Sequence, residues 1–184
     1  MISVNENLEE TFKKIKQEIE MGRIAGPYKQ KPISNLRCSP IGIVTKKSGG
    51  FRMITHLSFP NGDSVNDFID PALTSVHYSN FDTTISIIQK LGRNALIGKL
   101  DIKSAFRLLR CYPDDFYLLG FKFQDQYYID KCMPMGCSIS CSTFEKFACF
   151  LQYELERRTN SNTVDHYLDD FFFAGPPSSD ISSQ

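Results

Sequence analysis

Apolar positions recur along this chain at two different spacings, and the alternation between them predicts a mixed α+β protein. Leu8, Phe12, Ile15 and Ile19 fall at helical spacing and stop near Gly22, the pattern of an amphipathic helix whose stripe packs in the core. From Gly26-Pro27 to Pro40 the periodicity lapses among prolines, and an extended connection is expected. Ile41 to Lys47, the turn Ser48-Gly49-Gly50 and Phe51 to Thr55 then predict a β-hairpin over 41–55. Period-two alternation puts Val44 and Lys46 on one face, and Arg52 and Ile54 on one face of the returning strand. Asn61 to Pro71 reads as loop, and Tyr78 to Leu91 as a second helix with Phe81, Ile85, Ile88 and Leu91 on one side. Ala95 to Asp101 is a strand-like run that ends in a carboxylate and is followed at once by the helix-like Ser104 to Leu109. Leu118 to Phe123 and Gln126 to Ile129 predict another hairpin around Asp125. Pro134-Met135-Gly136 comes just before a helical run from Ser142 to Leu155. A last hairpin joins Val164–Leu168 to Phe171–Phe173, with Asp169 and Asp170 at its tip.

Composition narrows the class. With 184 residues, 41% hydrophobic and 12% aromatic, the chain can bury a sizeable core in one or two compact units, which excludes a disordered protein. No apolar run approaches the ~20 residues that span a bilayer. The charged N-terminal segment has no signal-peptide core, so an intracellular setting, cytoplasmic or nuclear, is expected, with no membrane partner. The six cysteines form no CxxC pair and read as reduced, buried thiols. Cys137 and Cys141 stand four apart, yet none of the three histidines is close in sequence, so structural zinc is not expected.

Charge changes the picture once it is divided. Net charge is zero, but Lys13 to Arg52 holds ten Lys/Arg against two Asp/Glu, and Met53 to Gln184 holds eleven against sixteen. A basic part beside an acidic remainder suits phosphate binding next to a carboxylate-held metal. The lysines of the first helix also fit a plain solvated face.

The candidate chemistry lies in the carboxylates. Two-residue hairpin turns favour glycine-containing pairs, so adjacent acids at a tip add like-charge repulsion to the backbone cost, and a divalent cation would relieve it. Asp101, 68 residues before Asp169, ends a strand that could reach the same place. Hard oxygen donors of this kind suit Mg²⁺, which completes its shell with water and substrate phosphates. Two such ions stabilise the attacking and leaving oxygens of an in-line phosphoryl displacement, the chemistry of nucleotidyl transfer. Lys46 and Arg52 near the tip of the basic hairpin suit a triphosphate, a point charge beside a planar fork, although edge-strand cations also serve to deter aggregation. Gly136 gives its loop a position where backbone can approach a ligand closely.

With these pieces in order the chain resembles reverse transcriptases, and most closely those of retrotransposons. Lys99-Leu100-Asp101-Ile102-Lys103-Ser104-Ala105-Phe106, Met133-Pro134-Met135-Gly136 and Tyr167-Leu168-Asp169-Asp170 look like the family's three catalytic motifs in order. Ser39 to Val44, His56 to Pro60 and Met135 to Ser140 resemble, more narrowly, the tyrosine-recombinase-encoding elements called DIRS-type. The resemblance implies polymerase fingers and palm, the palm an antiparallel sheet backed by helices. It divides the chain into an N-terminal helix (1–22), a fingers-like region with the basic hairpin (23–95), a palm (96–175) and a disordered tail (176–184). It also implies an RNA-directed DNA polymerase in which Asp101, Asp169 and Asp170 hold two Mg²⁺ or Mn²⁺ ions. The partners implied are an RNA or DNA template with its primer and a deoxynucleoside triphosphate. Lys46, or Lys47 in its place, and Arg52 match the fingertip cations on the triphosphate, and backbone amides at Ser104 and Ala105 would face the same phosphates. Phe106 matches the aromatic gate against a 2′-hydroxyl, Gly136 would approach template or nucleotide, and Met135 stands where retroviral members usually carry Gln. The family's thumb and ribonuclease H domain have no counterpart in these residues, which leaves a truncated, catalytically silent remnant that at most binds nucleic acid as the alternative. A metal-dependent phosphoesterase would need a water-activating base that the sequence does not show.

Overall fold

The computed structural model describes residues 7–46 and 49–178. In chain order the elements are α1 (Leu8–Glu20), β1 (Ile24–Tyr28), β2 (Ile41–Thr45), β3 (Phe51–Thr55), α2 (Phe81–Leu91), β4 (Leu96–Asp101), β5 (Gly120–Phe123), β6 (Gln126–Asp130), α3 (Ser140–Thr159), β7 (Val164–Tyr167) and β8 (Asp170–Gly175). Short 3₁₀ turns fill the loops at Asn66–Phe68, Pro71–Leu73, Ala105–Leu108 and Pro113–Leu118. The chain forms two compact units, each discontinuous in sequence: Met1–Leu73 with Phe106–Ser140, and Thr74–Ala105 with Cys141–Gln184. The contiguous partition at residue 95 expected from sequence differs from this, because β6 pairs with both β1 and β5 and so returns 106–140 to the first unit.

In the first unit, β1, β6 and β5 form an antiparallel sheet with β6 in the middle, and β2 and β3 form a separate hairpin. The β5–β6 turn at Gln124-Asp125 has both residues in the left-handed region (φ 47° and 57°), the geometry whose twist matches the flanking strands. β1 takes up the start of the stretch expected as an extended connection, and residues 29–40 stay outside helix and strand. Its ladder slips between Ala25 and Tyr28, which lets a strand carry Pro27, a residue with no N–H to give. The core gathers Ile15, Ile24, Phe121, Phe123 and Tyr128, with Ile19, Ile41 and Met53 against it. On α1 the buried residues are Thr11 and Ile15, while Leu8 and Phe12 stand 42% and 51% exposed, so the predicted stripe is rotated. The cause lies on the same face: Glu18 accepts hydrogen bonds from Arg107 Nε (3.1 Å) and Nη2 (2.9 Å). The other arm of that guanidinium donates to Asp130 Oδ2 at 2.6 Å, and Asp130 also accepts from the Cys132 amide.

The second unit is an antiparallel sheet ordered β4-β8-β7 with α2 and α3. α2 starts at Asn80, whose side chain accepts from the Thr83 amide at 3.0 Å, and it buries Ile87. Phe81, expected on the apolar side, is 76% exposed at the first turn. α3 runs further at both ends than the expected Ser142–Leu155 and buries Phe144 and Ala148, while Val164, Phe171, Phe173 and Ala174 of the sheet are buried. Gln152 of α3 donates to the Val164 carbonyl at 3.0 Å, joining helix to sheet. Among the described residues, no helix is long and apolar enough to cross a membrane.

Candidate active site

The second unit brings the three carboxylates together. β4 and β8 pair in register from Leu96 opposite Gly175 to Asp101 opposite Asp170, which closes the long sequence separation. Directly opposed residues hold their Cβ atoms roughly 4.5–5.5 Å apart, a distance at which like charges repel. Tyr167 lies on the other side of Asp170, so Asp101, Asp170 and Tyr167 form one row across three strands. The hairpin loop is therefore Leu168-Asp169, and Asp170 is the first residue of β8, one position on from the tip that the sequence suggested. Leu168 takes φ 54°, a left-handed conformation that costs a non-glycine residue about 1–2 kcal/mol. The tip is held there by the Ile102 amide, which donates to the Asp169 carbonyl at 2.8 Å and fixes Asp169 beside the end of β4.

Asp101 is exposed, and Asp169 and Asp170 are half-exposed, so the cluster is open to water. A hydrated divalent ion needs that setting, since Mg²⁺ gives up its waters reluctantly. Lys99 Nζ sits 3.0 Å from Asp170 Oδ1. Both side chains are well exposed, so the pair adds little stability, but it places a cation among carboxylates that otherwise repel. Sequence reading missed this role, although Lys99 shares a face with Asp101 by simple alternation. Ser104 turns the chain out of β4 with φ 60°, and Ala105 is buried. A cleft of about 560 Å³ opens beside the sheet, lined in part by Ser79, Phe81, Lys99, Tyr167, Asp170 and Phe172.

The other candidates belong to the first unit. Val44 lies opposite Arg52, which places Lys46 and Arg52, both exposed, near the end of one hairpin face. Lys46 closes the turn through its amide, 3.0 Å from the Gly50 carbonyl. Lys47 lies outside the described residues. Phe106, half-buried, begins the segment that returns to this unit.

The Met135-Gly136 loop is tied to β3 and to the loop after it. The Thr55 amide donates to the Met135 carbonyl (3.2 Å), Asn66 Nδ2 to the Gly136 carbonyl (2.8 Å) and the Ser138 amide to Asn66 Oδ1 (3.0 Å). Asn66 thus clamps the loop, a role invisible in sequence because the partners are 70 and 72 residues away. Gly136 also permits a close approach to β3: with φ 112°, a Cβ there would run into the Thr55 carbonyl oxygen. Gly136→Ala is expected to lower stability by about 1–3 kcal/mol, read from the midpoint of urea unfolding. An unchanged midpoint would mean that the loop moves away from β3 at no cost.

Residues 44–182 match the family described as reverse transcriptase (RNA-dependent DNA polymerase). The chain is 25% identical over 130 residues to the Transposon Tf2-7 polyprotein of Schizosaccharomyces pombe, a stretch covering 71% of this chain and 9% of that polyprotein. The Tf2-8 and Tf2-11 polyproteins match to the same extent. The chain thus spans about a tenth of the length of these curated relatives (9%). Among solved structures, a foamy viral protease-reverse transcriptase in complex with double-stranded DNA superposes with a TM-score of 0.66 at 17% identity, covering 92% of this chain and 25% of that one. A Prototype Foamy Virus protease-reverse transcriptase mutant gives 0.68 at 19% identity, covering 96% and 21%. These likenesses show the fold, a mixed α/β arrangement with antiparallel sheets that corresponds to part of those enzymes.

Proposed function

As the chain belongs to the reverse transcriptase (RNA-dependent DNA polymerase) family, we propose that it carries the catalytic core for RNA-directed DNA synthesis, extending a primer 3′-hydroxyl with deoxynucleotides by two-metal nucleotidyl transfer. The observation that carries the proposal is Asp101 directly opposite Asp170, with Asp169 tied beside them through the Ile102 amide. Three exposed or half-exposed carboxylates, one ending β4 and two on the β7–β8 hairpin, fit hard divalent ions, so Asp101 and Asp169 would hold two Mg²⁺ or Mn²⁺ ions with Asp170 accompanying them. Such ions, when bound, stabilise charge on the attacking and leaving oxygens.

The remaining roles follow from the chemistry of the side chains. We assign the first unit as fingers and the second as palm. Arg52 and Lys46, or Lys47, would grip the triphosphate, and the backbone amides of Ser104 and Ala105 would face it. Met135 offers the nucleotide an apolar thioether where an amide would offer a hydrogen bond. Gly136 would keep the loop low against β3 so that template or nucleotide can pass over it. Template and primer would be the nucleic-acid partners, with thumb and ribonuclease H functions supplied by other parts of a retroelement polyprotein. The stretches around Ser39, His56 and Met135 support a place among the DIRS-type elements.

Phe106, five residues after Asp101, would exclude a 2′-hydroxyl by bulk. Phe106→Ala is therefore expected to raise ribonucleotide incorporation relative to deoxynucleotide by tenfold or more, measured with paired rNTP and dNTP substrates. An unchanged sugar preference would remove Phe106 from that role.

The test of the function is extension of oligo(dT) on poly(rA) with dTTP and Mg²⁺ or Mn²⁺, comparing the chain with its Asp169→Asn variant. Incorporation by the chain and none by the variant supports the polymerase. Absence of incorporation by a demonstrably folded chain favours the second reading, a silent protein that at most binds nucleic acid. One observation favours that reading: Leu96 and Leu100, on the face of β4 opposite Asp101, are 40% and 51% exposed, so the strand that carries Asp101 shows apolar side chains to water.

A further inference from the structure

We propose that Glu145, Cys149 and His166 form a zinc site that joins α3 to β7, separate from the carboxylate cluster. Glu145 and Cys149 lie one helical turn apart on α3, and His166 faces them from β7. His166 Nε2 is 3.3 Å from Glu145 Oε1 and 3.9 Å from Cys149 Sγ, and the three donor atoms all lie within 4.8 Å of one another. Zinc bonds of about 2.0–2.3 Å in tetrahedral array separate neighbouring donors by roughly 3.3–3.6 Å, so the three atoms approximate one face of such a site.

Hydrogen bonding around the histidine fixes which nitrogen is offered. Gln152 commits its amide nitrogen to the Val164 carbonyl at 3.0 Å and to Glu156 Oε1 at 3.3 Å, so its oxygen faces the ring. His166 Nδ1, 2.5 Å from that oxygen, must be the donor. A neutral ring then presents its Nε2 lone pair towards the Glu145 carboxylate, an arrangement that is repulsive unless a cation stands between them. An outer partner that holds Nδ1–H and aims Nε2 inward is the usual support of a metal-bound histidine. The ring is further fixed by stacking on Phe171, with centroids 5.2 Å apart.

A proton on Nε2 would also answer the carboxylate, but it leaves one thing unexplained. Glu145, 8% exposed, keeps its second oxygen Oε2 buried and without a hydrogen-bond partner among the described residues. Buried acceptors rarely stay unsatisfied, and an ion that takes both carboxylate oxygens removes the deficit. The Cys149 thiol adds a soft donor on the exposed side, which gives an ion a way in. Mixed S, N and O donors with a fourth position open to water suit Zn²⁺ better than Mg²⁺. The sequence weighs zinc only at Cys137 and Cys141, because His166 comes within reach of Cys149 only after α3 turns back onto β7.

The test titrates the full chain, stripped with chelator, with Co²⁺ as a spectroscopic substitute and with Zn²⁺ against a chromophoric chelator, in excess Mg²⁺ to fill hard oxygen sites. The expected result is one equivalent of Co²⁺ with a thiolate-to-cobalt charge-transfer band. Cys149→Ser should abolish that band, and both it and Glu145→Gln should weaken Zn²⁺ retention at least tenfold while the circular dichroism spectrum is unchanged. Cys149 is exposed, so its replacement does not disturb the core and keeps the test valid even if Glu145→Gln unfolds the chain. No charge-transfer band, a band unchanged in Cys149→Ser, or Zn²⁺ retention equal in chain and variant would each overturn the proposal; the first would leave His166 and Glu145 as a buried contact that joins α3 to β7 without an ion.

Discussion

Asp101→Asn is expected to reduce primer extension by at least about 10³-fold, while the thermal midpoint of the metal-free protein stays the same or rises. The first half follows from the proposed mechanism: ions at an in-line displacement supply several kcal/mol of transition-state stabilisation, and each ~1.4 kcal/mol is a factor of ten in rate. The second half follows from register. Asp101 lies directly opposite Asp170, so removing one charge relieves a cross-strand repulsion and takes away no packing, since the side chain is exposed. Salt should shrink the difference in midpoint, because exposed charges are screened. In the parent chain Mg²⁺ or Mn²⁺ should raise the midpoint, as a ligand of the folded state must, and in the variant it should do so much less. A residue important only for folding would move activity and stability in the same direction. Extension within tenfold of the parent would remove Asp101 from the proposed metal-holding set.

Arg107→Met is expected to cost about 3–5 kcal/mol, a large share of the 5–15 kcal/mol typical of a domain. The Arg107 side chain is 10% exposed and meets Asp130 and Glu18, which are 4% and 16% exposed. Burial works against its charge, but the two carboxylates more than compensate, and its pKa is held above the ordinary arginine value. Methionine keeps much of the volume and leaves Asp130 without its cation, beside a Glu18 that keeps only Arg23 at 3.7 Å. Burial already pushes the Asp130 carboxyl up, against the pull of Arg107 and the Cys132 amide, and without Arg107 it should rise further. A carboxyl raised in the folded state contributes most when protonated and loses that contribution as pH climbs. The deficit of the variant in urea unfolding should therefore be smaller near pH 4 than at pH 7, and Asp130→Asn in the same background should recover part of it. A deficit independent of pH would show that lost packing, and not unpaired charge, is responsible.

What could be read from sequence is what local pattern determines. The three hairpins, the strand that ends at Asp101 and the helix after Gly136 each carry their own periodicity and turn residues, and the structure has them all. The meeting of Asp101 with Asp170 was legible because each sits at the end of a clear strand. Features set by distant partners were not. β1 hides behind Pro27 and a slipped ladder, and only its pairing with β6 makes it a strand. The buried face of α1 is turned by Arg107, 89 residues from Glu18. The tie between Asn66 and Gly136 follows no helical or strand period, and in the Glu145–Cys149–His166 cluster only the first two share a helix face, His166 arriving from β7.

The position of β4 at the edge of its sheet gives the acidic cluster a second consequence. An edge strand offers a row of unpaired peptide groups to any other chain, and here Leu96, Ile97 and Leu100 add apolar side chains that are 40%, 57% and 51% exposed. What deters self-association on that edge is its charge, Lys99 and Asp101, since an incoming strand would have to bury or pair them. The aspartate suited to gripping a metal thus doubles as a colloidal safeguard, and neutralising it removes a barrier to fibre-like stacking as well as a ligand. Preparations of Asp101 variants therefore belong at low protein concentration, where a loss of catalysis can be told apart from a loss of dispersed protein.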